Sequence, residues 1–281
     1  MKFSFLVKSA VSATVLSLIL STNVSADQER EKPILVIGAS YENSLTPLDD
    51  NIQGPFGGFA NLYGSQLTLG DALVRDERLS GFVINEAQGG ATTFTRLRCG
   101  PTFCLPLGWE GMDLQFQRAL SRVAMRDASG NILGYNADYV VIGMPNDCLH
   151  SGAMGIPHQE TSPCNNSDLN GSVDRLRDIA QDAVSKNITP VFNILPKYND
   201  VDFATFKALF NMAWVIDETT YNEFRDLIQT RIQAEVPETI FVDGWEKFVP
   251  IEGDGLHPDY ESTEHAAKRI AQAMHKHQVG Q

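Results

Sequence analysis

Five short apolar runs punctuate this chain, at 33–38 (PILVIG), 82–85 (FVIN), 138–143 (DYVVIG), 190–195 (PVFNIL) and 239–243 (TIFVD). Each is too short for an ordinary helix and rich in Val, Ile and Phe, which marks buried strands. Helical periodicity fills the intervals. It runs over 59–78, with Leu62, Leu69, Leu73 and Val74 as apolar positions, and over 112–126, with Leu114, Phe116, Leu120 and Val123. Further helices are expected at 171–186, 219–235 and 260–277. Strands alternating with helices predict a parallel sheet with helices on both faces, a three-layer α/β domain. A content of 43% hydrophobic and 20% charged residues is ordinary for a globular chain and suffices for such a core.

The first 26 residues stand outside this pattern. Lys2 and Lys8 give a positive start, the apolar stretch Ala10–Leu20 follows, and Val24-Ser25-Ala26 offers a small-residue cleavage site. That is the order of a secretory signal, with an apolar part too short for a good membrane span. We therefore expect residues 1–26 to be removed and 27–281 to form one domain, monomeric and secreted or periplasmic, with no stable membrane span. A formal charge of −13 argues against partners such as nucleic acid or an anionic membrane surface. The four cysteines are Cys99, Cys104, Cys148 and Cys164. An even number in an exported protein favours disulfides. Proximity suggests Cys99–Cys104 and Cys148–Cys164, among the three pairings that four cysteines allow. No Cys-x-x-Cys is present, and the spacings fit no common zinc module.

In an open parallel sheet, functional groups gather in the loops after the C-terminal ends of the strands. The first strand ends in Ile37-Gly38-Ala39-Ser40, the second in Asn85-Glu86-Ala87-Gln88-Gly89-Gly90-Ala91-Thr92, and the third in Gly143-Met144-Pro145-Asn146-Asp147. The fifth leads to Gly253-Asp254-Gly255-Leu256-His257-Pro258-Asp259. Singly, each has a bland explanation: a serine cap, a glycine turn, an Asx turn, a charged surface turn. In the last stretch Gly255 and Pro258 disfavour a continuous helix, and a compact turn can bring Asp254 back towards His257.

Taken together and in this order, the four stretches resemble the blocks of the SGNH/GDSL hydrolase family. "IGAS" is similar to the first block, "AQGGAT" to the second, "MPND" to the third and "DGLHPD" to the last, where Asp-x-x-His near the chain end is the most specific mark. The resemblance spans about residues 33–260 and implies a flavodoxin-like fold with ester hydrolysis, needing no metal or organic cofactor. It also implies roles: Ser40 as nucleophile, His257 as base and Asp254 as the carboxylate that orients it. The Ser40 N–H, the Gly90 N–H (or, failing that, Gly89) and the Asn146 side-chain amide would form the oxyanion hole. Two positions depart from the family pattern. Ala39 stands where the first block has Asp, and Met144 stands where the third has Gly, with Gly143 one residue early.

The chemistry accounts for the residue types. A serine hydroxyl is a poor nucleophile until a base within hydrogen-bond reach takes its proton, and an imidazole titrates near neutral pH. A carboxylate on the other ring nitrogen fixes the tautomer and stabilises the imidazolium. Asp147 is expected to support the Asn146 loop through hydrogen bonds. His150 and His158 are expected to be solvated loop residues rather than metal ligands. Phe103, Leu105, Leu107 and Trp109 either face the substrate or pack their own loop. The substrate would be a small-molecule, lipid or glycan ester. A non-catalytic ligand-binding protein on the same fold is the rival from another class.

Overall fold

The computed structural model describes residues 32–43, 46–47, 66–79, 82–99, 104–143, 145–154, 161 and 164–280. The expected signal segment, Leu62, Phe103, Met144 and His158 lie outside them. Five parallel strands make the central sheet: β1 (Ile34–Ile37), β2 (Val83–Asn85), β3 (Tyr139–Ile142), β4 (Thr189–Asn193) and β5 (Ile240–Val242). Their spatial order is β5-β4-β3-β1-β2. The chain thus starts beside the middle of the sheet, adds β2 on one side, and crosses over β1 to add β3, β4 and β5 on the other. This is the doubly wound, flavodoxin-like order, with its switch point between β1 and β3. Val36 pairs with Asn85 on one side and Val141 on the other. Strands enclosed on both edges and both faces have no solvent side, which is why β1 and β3 are buried at every position.

The helices are α1 (Ser40–Asn43), α2 (Leu69–Val74), α3 (Met112–Val123), α4 (Asn166–Ser185), α5 (Phe203–Phe210), α6 (Glu218–Glu235) and α7 (Tyr260–Val279). α3, α4 and α6 pack side by side over one face of the sheet, and α2 and α7 pack together over the other. None of the described helices is long and apolar enough to cross a membrane.

Several elements differ from expectation for identifiable reasons. The buried residues of α3 are Met112, Gln115, Phe116, Ala119, Leu120 and Val123, one stripe at i, i+3, i+4 spacing. Leu114 falls off that stripe and is 44% exposed, and Val74, the last residue of α2, is 46% exposed. α3 stops at Val123 because the chain turns into an antiparallel pair, Ala124–Arg126 with Ile132–Tyr135. The Asp127 carboxylate closes that turn by accepting from the Ser129 and Asn131 backbone N–H groups. α4 starts at Asn166, before the expected 171, because Asn165 and Asp168 form a reciprocal capping box. The stretch 95–110 contains a second antiparallel pair, Arg96–Cys99 with Cys104–Trp109, in which Cys99 stands opposite Cys104. α5 was not expected at all.

The α3 stripe gives a direct test. Phe116→Ala should lower the unfolding free energy by about 3–5 kcal/mol in urea titration. Leu114→Ala should change it by less than about 0.5 kcal/mol.

Candidate active site

The loops that follow β1, β2 and β3 and the loop before α7 are joined to one another by hydrogen bonds. Ser40 opens α1 directly after the Gly38-Ala39 turn and is buried. The second loop lies on the first, with the Gln88 N–H donating to the Gly38 carbonyl at 3.2 Å. Asn85 and Asn43 reinforce this contact, through Asn85 Nδ2 to the Glu42 carbonyl at 2.7 Å and Asn43 Nδ2 to the Ala87 carbonyl at 2.6 Å. The third loop lies on the second: Asn146 donates to the Ala91 carbonyl through both its backbone N–H, at 3.1 Å, and its side-chain amide, at 3.2 Å. A carboxamide carries two N–H donors, so this bond leaves one of them for another acceptor. Gly90 sits between these contacts with φ 78°, a backbone conformation that glycine adopts without strain.

Beneath the third loop, Asp147 is fully buried. Its carboxylate accepts from the Thr93 N–H at 2.7 Å, the Thr93 hydroxyl at 2.5 Å, the Ser172 hydroxyl at 2.7 Å and Arg175 Nη2 at 3.3 Å. The expected support of the Asn146 loop is therefore present, and it reaches as far as α4. Cys148 follows and is bonded to Cys164, with Cα atoms 5.7 Å apart. That disulfide ties the Asn146 loop to the start of α4.

The fourth loop holds Asp254 and His257, both buried. The Asp254 carboxylate accepts from the backbone N–H groups of Leu256 at 2.8 Å and His257 at 2.7 Å. It also meets His257 Nδ1, at 2.8 Å from Oδ2 and 3.1 Å from Oδ1. Burial by itself would raise the Asp254 carboxyl. The charge and hydrogen bond of His257, together with the two N–H groups, outweigh burial and hold it below its ordinary value. Gly255 completes the turn at φ 79°, and a Cβ there would also run into the backbone of α5 at Asp202 and Phe206.

Tyr41, next to Ser40, joins the first and last loops. Its hydroxyl donates to the Leu256 carbonyl at 2.7 Å, and its ring lies edge-on to the His257 imidazole with centroids 6.1 Å apart. Burial pushes the Tyr41 phenol well above its ordinary value, with Tyr221, Asp254 and Glu42 adding to the shift, so it remains a donor. Ser40, Gly90, Asn146, Asp254 and His257 thus lie on loops in mutual contact at the C-terminal edge of the sheet.

Two buried polar residues of this region were not anticipated. Glu42 is fully buried, and its Oε2 accepts from the Ala39 N–H at 3.1 Å. A Cβ on either Gly38 or Gly143 would overlap its carboxyl group. Gly143 is thus a glycine because Glu42 fills the space a side chain would need. Position 39 is Ala, and the buried carboxylate of this turn lies three residues later, at Glu42. Gln115 is the second, accepting from the Gly38 N–H at 2.9 Å. A polar residue on the apolar stripe of α3 is the signal that identifies it. His150 also departs from expectation: it is 6% exposed, packed against Phe206 and Trp214 rather than solvated. The side chains of Leu105, Leu107 and Trp109 lie outside the described atoms.

No protein-family model matches this sequence, and no curated protein matches it significantly. Solved structures do match in fold. A carbohydrate acetylesterase family member from Sinorhizobium meliloti aligns with TM-score 0.52 and 15% identity over 89% of this chain and 100% of its own. A proposed arylesterase from Agrobacterium tumefaciens aligns with TM-score 0.52 and 15% identity over 87% and 99%. A proposed SGNH hydrolase from Slackia heliotrinireducens aligns more loosely, at TM-score 0.48 and 15% identity over 87% and 99%. The chain therefore shares the three-layer α/β fold of the first two of these structures, with helices on both faces of a five-stranded parallel sheet.

Two predictions test these contacts. Because the folded Asp254 carboxyl is held below its unfolded value of about 3.9, its contribution is fully present above that pH and fades as pH falls through the folded value. Asp254→Asn should therefore lower the melting temperature at pH 7, and the gap to wild type should narrow below about pH 4. Gly143→Ala should destabilise strongly in the wild-type background and much less beside Glu42→Ala. Unfolding titrations should give a coupling of about 1–3 kcal/mol for the double-mutant cycle.

Proposed function

We propose that this chain is a serine esterase of the SGNH type that hydrolyses carboxylic esters through Ser40, His257 and Asp254. The observation that carries the proposal is the buried Asp254–His257 pair, linked through Tyr41 to the turn that bears Ser40. Asp254 on Nδ1 leaves His257 Nε2 as the ring's acceptor, the state a general base needs. His257 takes the proton from Ser40 Oγ as that oxygen attacks the ester carbonyl. The carbonyl oxygen becomes an oxyanion, held by the N–H groups of Ser40 and Gly90 and by the side-chain amide of Asn146. Collapse expels the alcohol, which receives the proton from His257 and leaves an acyl-serine. Water activated by His257 then releases the acid and restores Ser40.

Every step uses side chains and backbone groups of this chain. The neighbour named as a carbohydrate acetylesterase family member favours acetyl as the acyl group, on a glycan or other small-molecule alcohol. The disulfide Cys148–Cys164 favours an oxidising compartment, secreted or periplasmic. Cys99 and Cys104, opposite each other in their strand pair, are proposed as the second bridge. We further propose that residues 1–26 are removed and that the remainder acts as a monomer.

A fluorophosphonate probe tests the assignment. The wild-type protein should be labelled, Ser40→Ala should not, and p-nitrophenyl acetate hydrolysis should vanish with the label. Asn146→Ala should reduce kcat by about 10²–10³. A folded wild type that neither takes the label nor hydrolyses the acetate would instead be a binding protein on this fold.

A further inference from the structure

Helix α5 is built onto the turn that carries Asp254 and His257. The backbone N–H of its N-cap residue, Asp202, donates to the Gly255 carbonyl at 2.8 Å. Phe206 and Phe210 are four residues apart on this helix and so share one face. Phe206 is buried, and its ring lies 5.3 Å from that of Phe210 and 6.1 Å from that of Trp214. Phe210 is half-buried, and its ring stands edge-on to the His257 imidazole at 5.8 Å between centroids. An aromatic side chain backed by other rings, and held on a helix anchored to the turn of His257, fixes a flat ring beside that imidazole.

The side of the ester that meets this face follows from the reaction. The base gives its proton to the oxygen of the departing alcohol, so that oxygen must come within hydrogen-bond reach of His257 Nε2. The carbons attached to it then lie beside the imidazole, within reach of Phe210. The acyl part stays with Ser40 and the oxyanion donors, across the scissile bond. A fixed flat face rewards a flat rigid group over a flexible chain, because less conformational freedom is lost on contact.

We infer that Phe210 is a specificity-determining residue for the alcohol part of the substrate, and that the favoured esters are those of ring-bearing alcohols with an apolar face. The inference rests on the assignment of Ser40, His257 and Asp254 proposed above.

The test uses the whole protein with ethyl, hexyl, cyclohexylmethyl and benzyl acetates, whose alcohols are all primary and similarly poor leaving groups. Ethyl butanoate probes the acyl side. Wild type should favour the two ring-bearing acetates over ethyl and hexyl acetate by about tenfold or more in kcat/KM. Phe210→Ala should lower that preference about tenfold. Phe210→Leu, which keeps apolar volume but loses the flat face, should fall between and guards against a misfolded Ala variant. The acetate-to-butanoate ratio should shift by less than about twofold in either variant. An equal or greater rate on hexyl acetate would overturn the inference, as would a ring preference unchanged in both variants or a change confined to the acyl ratio. If Ser40 is labelled by the fluorophosphonate but no ring preference exists, this inference alone fails. If Ser40 is neither labelled nor needed for hydrolysis, the triad assignment fails with it.

Discussion

A carboxylate removed from solvent must be satisfied by groups within its own neighbourhood, or it costs more than a fold of this size can spare. Asp254 meets that demand inside a single tight turn, with two backbone N–H groups and the imidazole of His257. The turn can close this way because Gly255 takes a backbone conformation that other residues rarely adopt. The neighbouring structure follows from it. The Gly255 carbonyl receives the start of α5, the Leu256 carbonyl receives Tyr41, and the Pro258-Asp259 stretch passes straight into α7, capped by the Asp259 side chain. One desolvated charge therefore sets the position of a helix start, a buried phenol and the last element of the chain.

The opposite side of the site is organised by a different buried carboxylate. Glu42 lies between the first and third loops, where Gly38 and Gly143 leave room for it. Ala39 and Gly143 are thereby connected through one side chain, since Glu42 accepts from the Ala39 N–H and fills the space beside Gly143. Asp147 performs a comparable service for the second and third loops, with Thr93, Ser172 and Arg175 as partners. The charged side chains closest to the site thus serve mainly to fix backbone. That would suit the proposed ester hydrolysis, whose oxyanion donors would be backbone and amide groups.

Much of this architecture was legible in the sequence. The five sheet strands announced themselves as short apolar runs bounded by Gly, Asn or Asp, and their alternation with helices determined a parallel sheet. The loops bearing Ser40, Gly90, Asn146, Asp254 and His257 could be placed at its C-terminal edge because topology alone puts them there. What escaped was decided by tertiary contact. Leu114 carries the right chemistry for a core but the wrong phase for the α3 stripe. Glu42 looks like any charged residue after a turn, and only the absence of side chains at Gly38 and Gly143 betrays its burial. α5 does carry a signal, the Asp202 cap with Phe203, Phe206 and Phe210 following, but its dense apolar composition and short length blur the boundary between helix and buried strand.

The hydrogen bond between Tyr41 and Leu256 spans 215 positions of sequence. Contacts of such separation close late, because the entropy of the intervening loop must be offset by structure already formed. A chain still emerging during synthesis would hold Ser40 on a folded β1 long before the segment with His257 exists. In that interval the Asp254–His257 pair is absent and the turn that bears Ser40 lacks the bond from Tyr41 to Leu256. The proposed triad would therefore be completed as the final event of folding, and the proposed hydrolytic activity would report chains folded to that point in a way that secondary-structure content does not.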